Sequence, residues 1–121
     1  MKKAIVLTTA LVICATLVSL SIARLTLGKA PIAATAATVS ISNFQFAPKT
    51  VTVKAGGEVT WEVKQGTHTV TSDDGTFESQ TLSTGNKFSY KFTKPGTYRY
   101  YCSFHGSKGG HDMSGVVRVT R

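Results

Sequence analysis

From residue 39 onward this chain predicts an all-β fold, an antiparallel β-sandwich or barrel. Apolar and polar residues alternate with period two through short segments, Gly- and Pro-containing turns separate those segments, and no stretch after residue 37 carries a helical apolar stripe. Successive side chains of a strand point to opposite faces, so such alternation means one face on a core and one in water.

The segments follow in order. Val51 and Val53 alternate with Thr52 and Lys54, and Ala55-Gly56-Gly57 then predicts a turn. Val59, Trp61 and Val63 alternate with Thr60 and Glu62, and Asp73-Asp74-Gly75 reads as a polar turn. Phe88, Tyr90 and Phe92 alternate with Ser89 and Lys91 before the turn Lys94-Pro95-Gly96. Tyr98, Tyr100 and Cys102 share one face of the next strand, and Val117 and Val119 end the last. So small a domain buries a limited core. Trp61, the Phe and Tyr residues and the Val positions supply most of it, each large side chain contributing about 1.5–3 kcal/mol when buried.

The 121 residues allow one such domain, and the N-terminal stretch lies outside it. Lys2 and Lys3 precede an uncharged, mostly apolar run from Ala4 to Ala23, closed by Arg24. A positive start before an apolar run reads as an export signal. The run is also long enough to cross a bilayer, for which about 20 residues are needed. An uncleaved anchor, with Lys2 and Lys3 kept in the cytoplasm, therefore stands beside a cleaved signal. Ala34-Thr35-Ala36 offers a small-residue cleavage site and Ser21-Ile22-Ala23 a weaker one. The expected division is a signal or anchor over 1–24, an Ala- and Thr-rich spacer over 25–37, and the domain over 38–121. In either version the domain is extracytoplasmic, in the periplasm or on the outer face of the cytoplasmic membrane. Cys14 lies within the apolar run after a bulky Ile13, which suits a small apolar residue better than a lipidation site.

The formal charge is +8, and the first 36 residues hold Lys2, Lys3, Arg24 and Lys29 with no acidic residue, so about +4 remains beyond them. The remaining Lys and Arg are scattered, as on a solvated surface with protected strand edges. They give a mild preference for acidic partners. Nucleic-acid binding lacks both a basic stripe and a motif.

Chemistry concentrates near the C-terminal end. With the first 36 residues set aside, Cys102 is the one thiol, so it has no internal disulfide partner. It sits in Tyr100-Tyr101-Cys102-Ser103-Phe104-His105, with Met113 eight positions after His105. Copper bound by two His and one Cys, with a weak and distant Met, is the arrangement of electron-transfer sites. The chain has three His. His111 crowds Met113, which makes His68 the candidate for the second imidazole. His68 lies near a strand start and Cys102 near a strand end, so both can meet at one end of a sandwich.

These residues carry a resemblance. Val51-Thr52-Val53-Lys54-Ala55-Gly56 with Val59-Thr60-Trp61 is similar to the early strand pair of the cupredoxins, the blue-copper proteins of the plastocyanin/azurin type. Phe92-Thr93-Lys94-Pro95-Gly96-Thr97-Tyr98-Arg99-Tyr100-Tyr101-Cys102 resembles their penultimate strand, and His105 with Met113-Ser114-Gly115-Val116 their closing ligand loop. The likeness covers essentially all of residues 39–121. It implies a Greek-key sandwich and one type 1 copper ion, with His68, Cys102 and His105 in the tight plane and Met113 axial. It also implies that His105 presents its ring edge near a hydrophobic surface bordered by Phe104 and Gly106.

Two departures stand out. Seven residues separate His105 from Met113, more than in plastocyanins, and Phe104 stands where Pro is common. His111 lies in that extra length, where it could replace Met113 or add a ligand. Thr69 follows His68 where plastocyanins usually carry an Asn that orders the loops, which bears on how the site is tuned.

The expected function is therefore a one-electron carrier, not an enzyme. It would be monomeric, serve redox partner proteins, and associate with the membrane through residues 4–23 if these are retained. The alternative is a periplasmic copper-binding or delivery protein, but such proteins favour Met-rich segments and this chain has two Met. A copper enzyme would need a further metal site, for which His111 alone is unassigned.

Overall fold

The computed structural model describes residues 33–121, which form nine strands and no helix. In order these are β1 (Ala34–Ser42), β2 (Gln45–Ala47), β3 (Thr50–Val63), β4 (Thr67–His68), β5 (Thr71–Ser72), β6 (Leu82–Ser83), β7 (Lys87–Phe92), β8 (Gly96–Ser107) and β9 (His111–Thr120). The expected signal or anchor, Cys14 and most of the spacer lie outside the described residues.

Strand β3 organises the fold. Its first half pairs with β9 (Val51↔Val117, Val53↔Val119), and its second half lies between β1 and β7 (Val59 opposite Ala37 and Tyr90). The chain bends between the halves at Gly56, whose φ is +89°. A side chain on Gly57 would stand 2.8 Å from the Lys54 carbonyl and 2.9 Å from that of Thr35. The turn expected at Ala55-Gly56-Gly57 is thus a bend inside one 14-residue strand, because two glycines permit a sharp change of direction without ending the ladder.

The all-β class holds, with a refinement. The sheet is mixed, since β1–β3 and β3–β9 run parallel while β1–β2, β3–β7, β5–β8 and β8–β9 are antiparallel. Period-two alternation reports burial of a face and is blind to the direction of the neighbouring strand. The first strand begins within the expected spacer, where Ala34 pairs with Val53 and Ala36 with Glu58. A run of Ala and Thr shows no contrast between faces, which is why it reads as a spacer.

The core is the one the alternation picks out. Val59, Trp61, Val53, Val117 and Cys102 are fully buried. Trp61 stacks on Phe77 at 5.6 Å and meets Tyr100 edge-on at 5.3 Å between ring centroids. Gly115 makes room for the Tyr100 ring, which a Cβ there would strike. Burial pushes the Tyr100 phenol well above its ordinary value.

Candidate metal centre

His68 is placed by a miniature sheet. Strand β4 pairs with β6 (His68↔Leu82), and the Gly66 N–H donates to Thr84 Oγ1 at 3.1 Å. The His68 ring is 2% exposed, and its Nε2 lies 2.9 Å from the Gln65 carbonyl. A nitrogen facing a carbonyl must be the donor, so Nδ1 keeps its lone pair for the site. Gly66 adopts φ +90°, and a Cβ there would come within 2.9 Å of His68 Nε2.

Cys102 and His105 come from an interruption in the β8–β9 ladder. Regular pairing runs from Gly96↔Val119 to Tyr101↔Ser114 and resumes at Gly106↔Asp112. The residues Cys102–His105 therefore bulge out opposite Met113, and such a bulge re-aims side chains that the ladder would otherwise alternate. Cys102 Sγ, fully buried, lies 3.8 Å from His68 Nδ1 and 3.5 Å from His105 Nδ1. One donor atom from each of the three residues lies within 4.8 Å of the others.

These separations fit a single ion. Nitrogen and sulfur donors about 2.0 and 2.3 Å from one metal, 120° apart, would stand about 3.7 Å from each other. The donor set of two imidazoles and a thiol is the one copper takes in electron-transfer sites.

Met113 is 3% exposed, and the register sets it on β9 directly across from the ligand bulge. His111 is exposed at the start of β9, paired with Ser107, and lies outside the converging group. The extra loop length thus forms an extension of the β8–β9 hairpin, turned by Gly109 and Gly110 at φ +90° and +82°. Asp73 Oδ2 accepts the Gly109 N–H at 2.9 Å and ties down the tip.

Thr69 binds the two ligand-bearing segments together. Its N–H points at Cys102 Sγ at 3.5 Å, and its Oγ1 accepts the Ser103 N–H at 2.8 Å. The Ser103 hydroxyl lies 2.9 Å and the Thr71 hydroxyl 3.2 Å from the same oxygen. The loops are therefore ordered through the Thr69 hydroxyl, at the position where plastocyanins usually carry an Asn.

Phe44 was not foreseen. It stands on the two-residue turn between β1 and β2, its ring edge-on to His105 at 4.7 Å and to His68 at 6.3 Å between centroids. The signal in the sequence is slight: Asn43 marks a tight turn, and a large aromatic follows where Gly is usual. Phe104, 57% exposed, has its ring centroid 6.2 Å from that of His105.

Comparison with known proteins agrees with this geometry. A family model described as a cupredoxin-like domain matches residues 7–111. The plastocyanin of Scenedesmus fuscus is 33% identical over 86 residues, covering 61% of this chain and 85% of that protein. A purple cupredoxin from Nitrosopumilus maritimus superposes with a TM-score of 0.61 at 29% identity, over 69% of this chain and 99% of that one. An oxidized amicyanin mutant gives 0.61 at 26% identity, over 74% and 86%. A copper-containing nitrite reductase from Thermus scotoductus gives 0.60 at 26% identity, but only 23% of that chain is covered.

Proposed function

The chain belongs to the cupredoxin-like family, and from that premise we propose that it carries single electrons between redox proteins outside the cytoplasm. His68, Cys102 and His105 would hold one type 1 copper ion, with Met113 as a fourth, weaker ligand. The observation that carries this reading is the convergence of the three donors, with His68 and Cys102 buried and His105 half-buried. Copper in such a site supplies one-electron chemistry by passing between Cu(I) and Cu(II).

The surrounding residues serve that task by holding still. The Gln65 carbonyl fixes the His68 ring, and the Thr69 N–H faces the sulfur. Donor atoms that keep their positions in both oxidation states make little rearrangement necessary. His105 is the ligand nearest the surface, with the exposed Phe44 and Phe104 close to its ring, and offers the short way out for an electron.

Burial argues against metal delivery, since a donor that hands its ion on must be reachable, and Cys102 and His68 are 0% and 2% exposed.

The visible spectrum after addition of Cu(II) tests the reading. Cu(II)–thiolate bonding gives intense visible absorption, so the loaded protein is expected to be strongly coloured and Cys102→Ala colourless with its β-structure intact by circular dichroism. Tightly bound copper without colour in the wild type would sink the assignment.

A further inference from the structure

The turn that carries Phe44 is strained. Asn43 and Phe44 have φ of 49° and 56°, the paired left-handed conformation of a two-residue hairpin turn whose favoured occupants are Asn and then Gly. Asn43 suits its position. Phe44 does not, because a bulky residue at positive φ is a genuine outlier, and such strain gathers at functional sites. The ring gains little by burial in exchange, since the residue is 65% exposed. Its contacts are what set it apart: it stands edge-on to the outer imidazole, His105, at 4.7 Å.

Phe44 also lines two openings. It forms one wall of a cleft of about 280 Å³ that reaches His68 and His105. It also forms part of the wall of a cleft of about 380 Å³ that reaches Met113. Phe44 is the residue common to both clefts, so removing its ring enlarges the approach to the imidazole side and to the thioether side of the centre alike.

We propose that Phe44 is a positioning and shielding residue, held in a strained turn so that its ring braces His105 and keeps outside ligands from the metal. This rests on the copper reading of the site. Glycine would fit the backbone and lose the function; phenylalanine does the reverse.

Two variants of the full-length protein separate strain from shielding. Phe44→Ala removes the ring and keeps the unfavourable backbone, whereas Phe44→Gly removes both. In the metal-free protein Phe44→Gly is expected to melt higher than Phe44→Ala by about 4–8 °C, the reverse of their order at an unstrained position. In the Cu(II) form, added azide should leave the wild-type visible spectrum unchanged. Both variants should develop an azide-dependent band, with affinity at least tenfold above the wild type. If Phe44→Gly melts no higher than Phe44→Ala, the turn stores no strain, and if azide acts alike on all three proteins, the ring shields nothing; either result overturns the proposal. A wild type lacking the Cu(II)–thiolate band would defeat the copper reading instead, while the melting order of the metal-free variants still reports on the turn.

Discussion

The proposed weak ligand is a choice between two side chains close together in sequence and far apart in surroundings. Met113 is buried, on a strand, opposite the ligand bulge, whereas His111 is exposed at the end of the hairpin. A thioether favours Cu(I) more than a harder donor does. Met113→Gln is accordingly expected to keep the visible band but lower the reduction potential. A tenfold loss of preference for Cu(I) corresponds to about 59 mV for one electron, and a drop of at least that size should appear in voltammetry. His111→Ala should move neither potential nor spectrum. A larger shift from the His111 variant than from the Met113 variant would mean that the lengthened loop had rebuilt the site. Residues of this kind were legible in the sequence because their chemistry is rare: one Cys beyond the N-terminal run, three His, and one Met beside them. Thr69 and Phe44 were harder to read. A hydroxyl joining two loops, or a ring leaning on an imidazole, depends on which segments meet in space, and that information is spread along the chain.

Elements divide in the same way. Strands with large alternating residues, such as Val59–Val63 and Phe88–Phe92, were plain from their pattern, while β1, opening on Ala and Thr, and the two-residue β4, β5 and β6 left no periodic signal. The bend in β3 was read as a turn because glycines permit either outcome. The hairpin of β8 and β9 shows what an element does for the site, since its ladder is broken at the ligands and restored beyond them at Gly106↔Asp112. This restored part forms a separate closure, held at its tip by Asp73. Asp73→Ala removes that acceptor, and a hydrogen bond of this sort contributes about 0.5–1.5 kcal/mol. Amide exchange at Gly109 should therefore run about 2–10-fold faster, measured by NMR, with the copper spectrum unchanged because the rung at Gly106 persists. A spectral shift as large as that of a ligand variant would show that tip and ligand bulge move as one.

For the whole molecule the open matter is where the folded chain begins, and β1 narrows it. Ala34 pairs with Val53, Ala36 with Glu58 and Ala37 with Val59. The Thr35 carbonyl packs so closely on the bend of β3 that a Cβ on Gly57 would lie 2.9 Å from it. Cleavage after Ala36 would remove this first stretch of ladder and leave the bend uncovered on that side. Processing after Ala23, or none at all, keeps it. If the chain is exported as proposed, it is thus expected to begin at or before Ala34, or to retain its N-terminus as an anchor. Mass spectrometry of the native protein, with its partition between membrane and soluble fractions, decides between the two. An intact mass in the membrane fraction means a carrier tethered by residues 4–23. A shorter soluble form beginning between Arg24 and Ala34 means a free carrier. A mature start at Ala37 would show that the first rungs of β1 are dispensable, and the folded copper protein in the cytoplasm would contradict both forms.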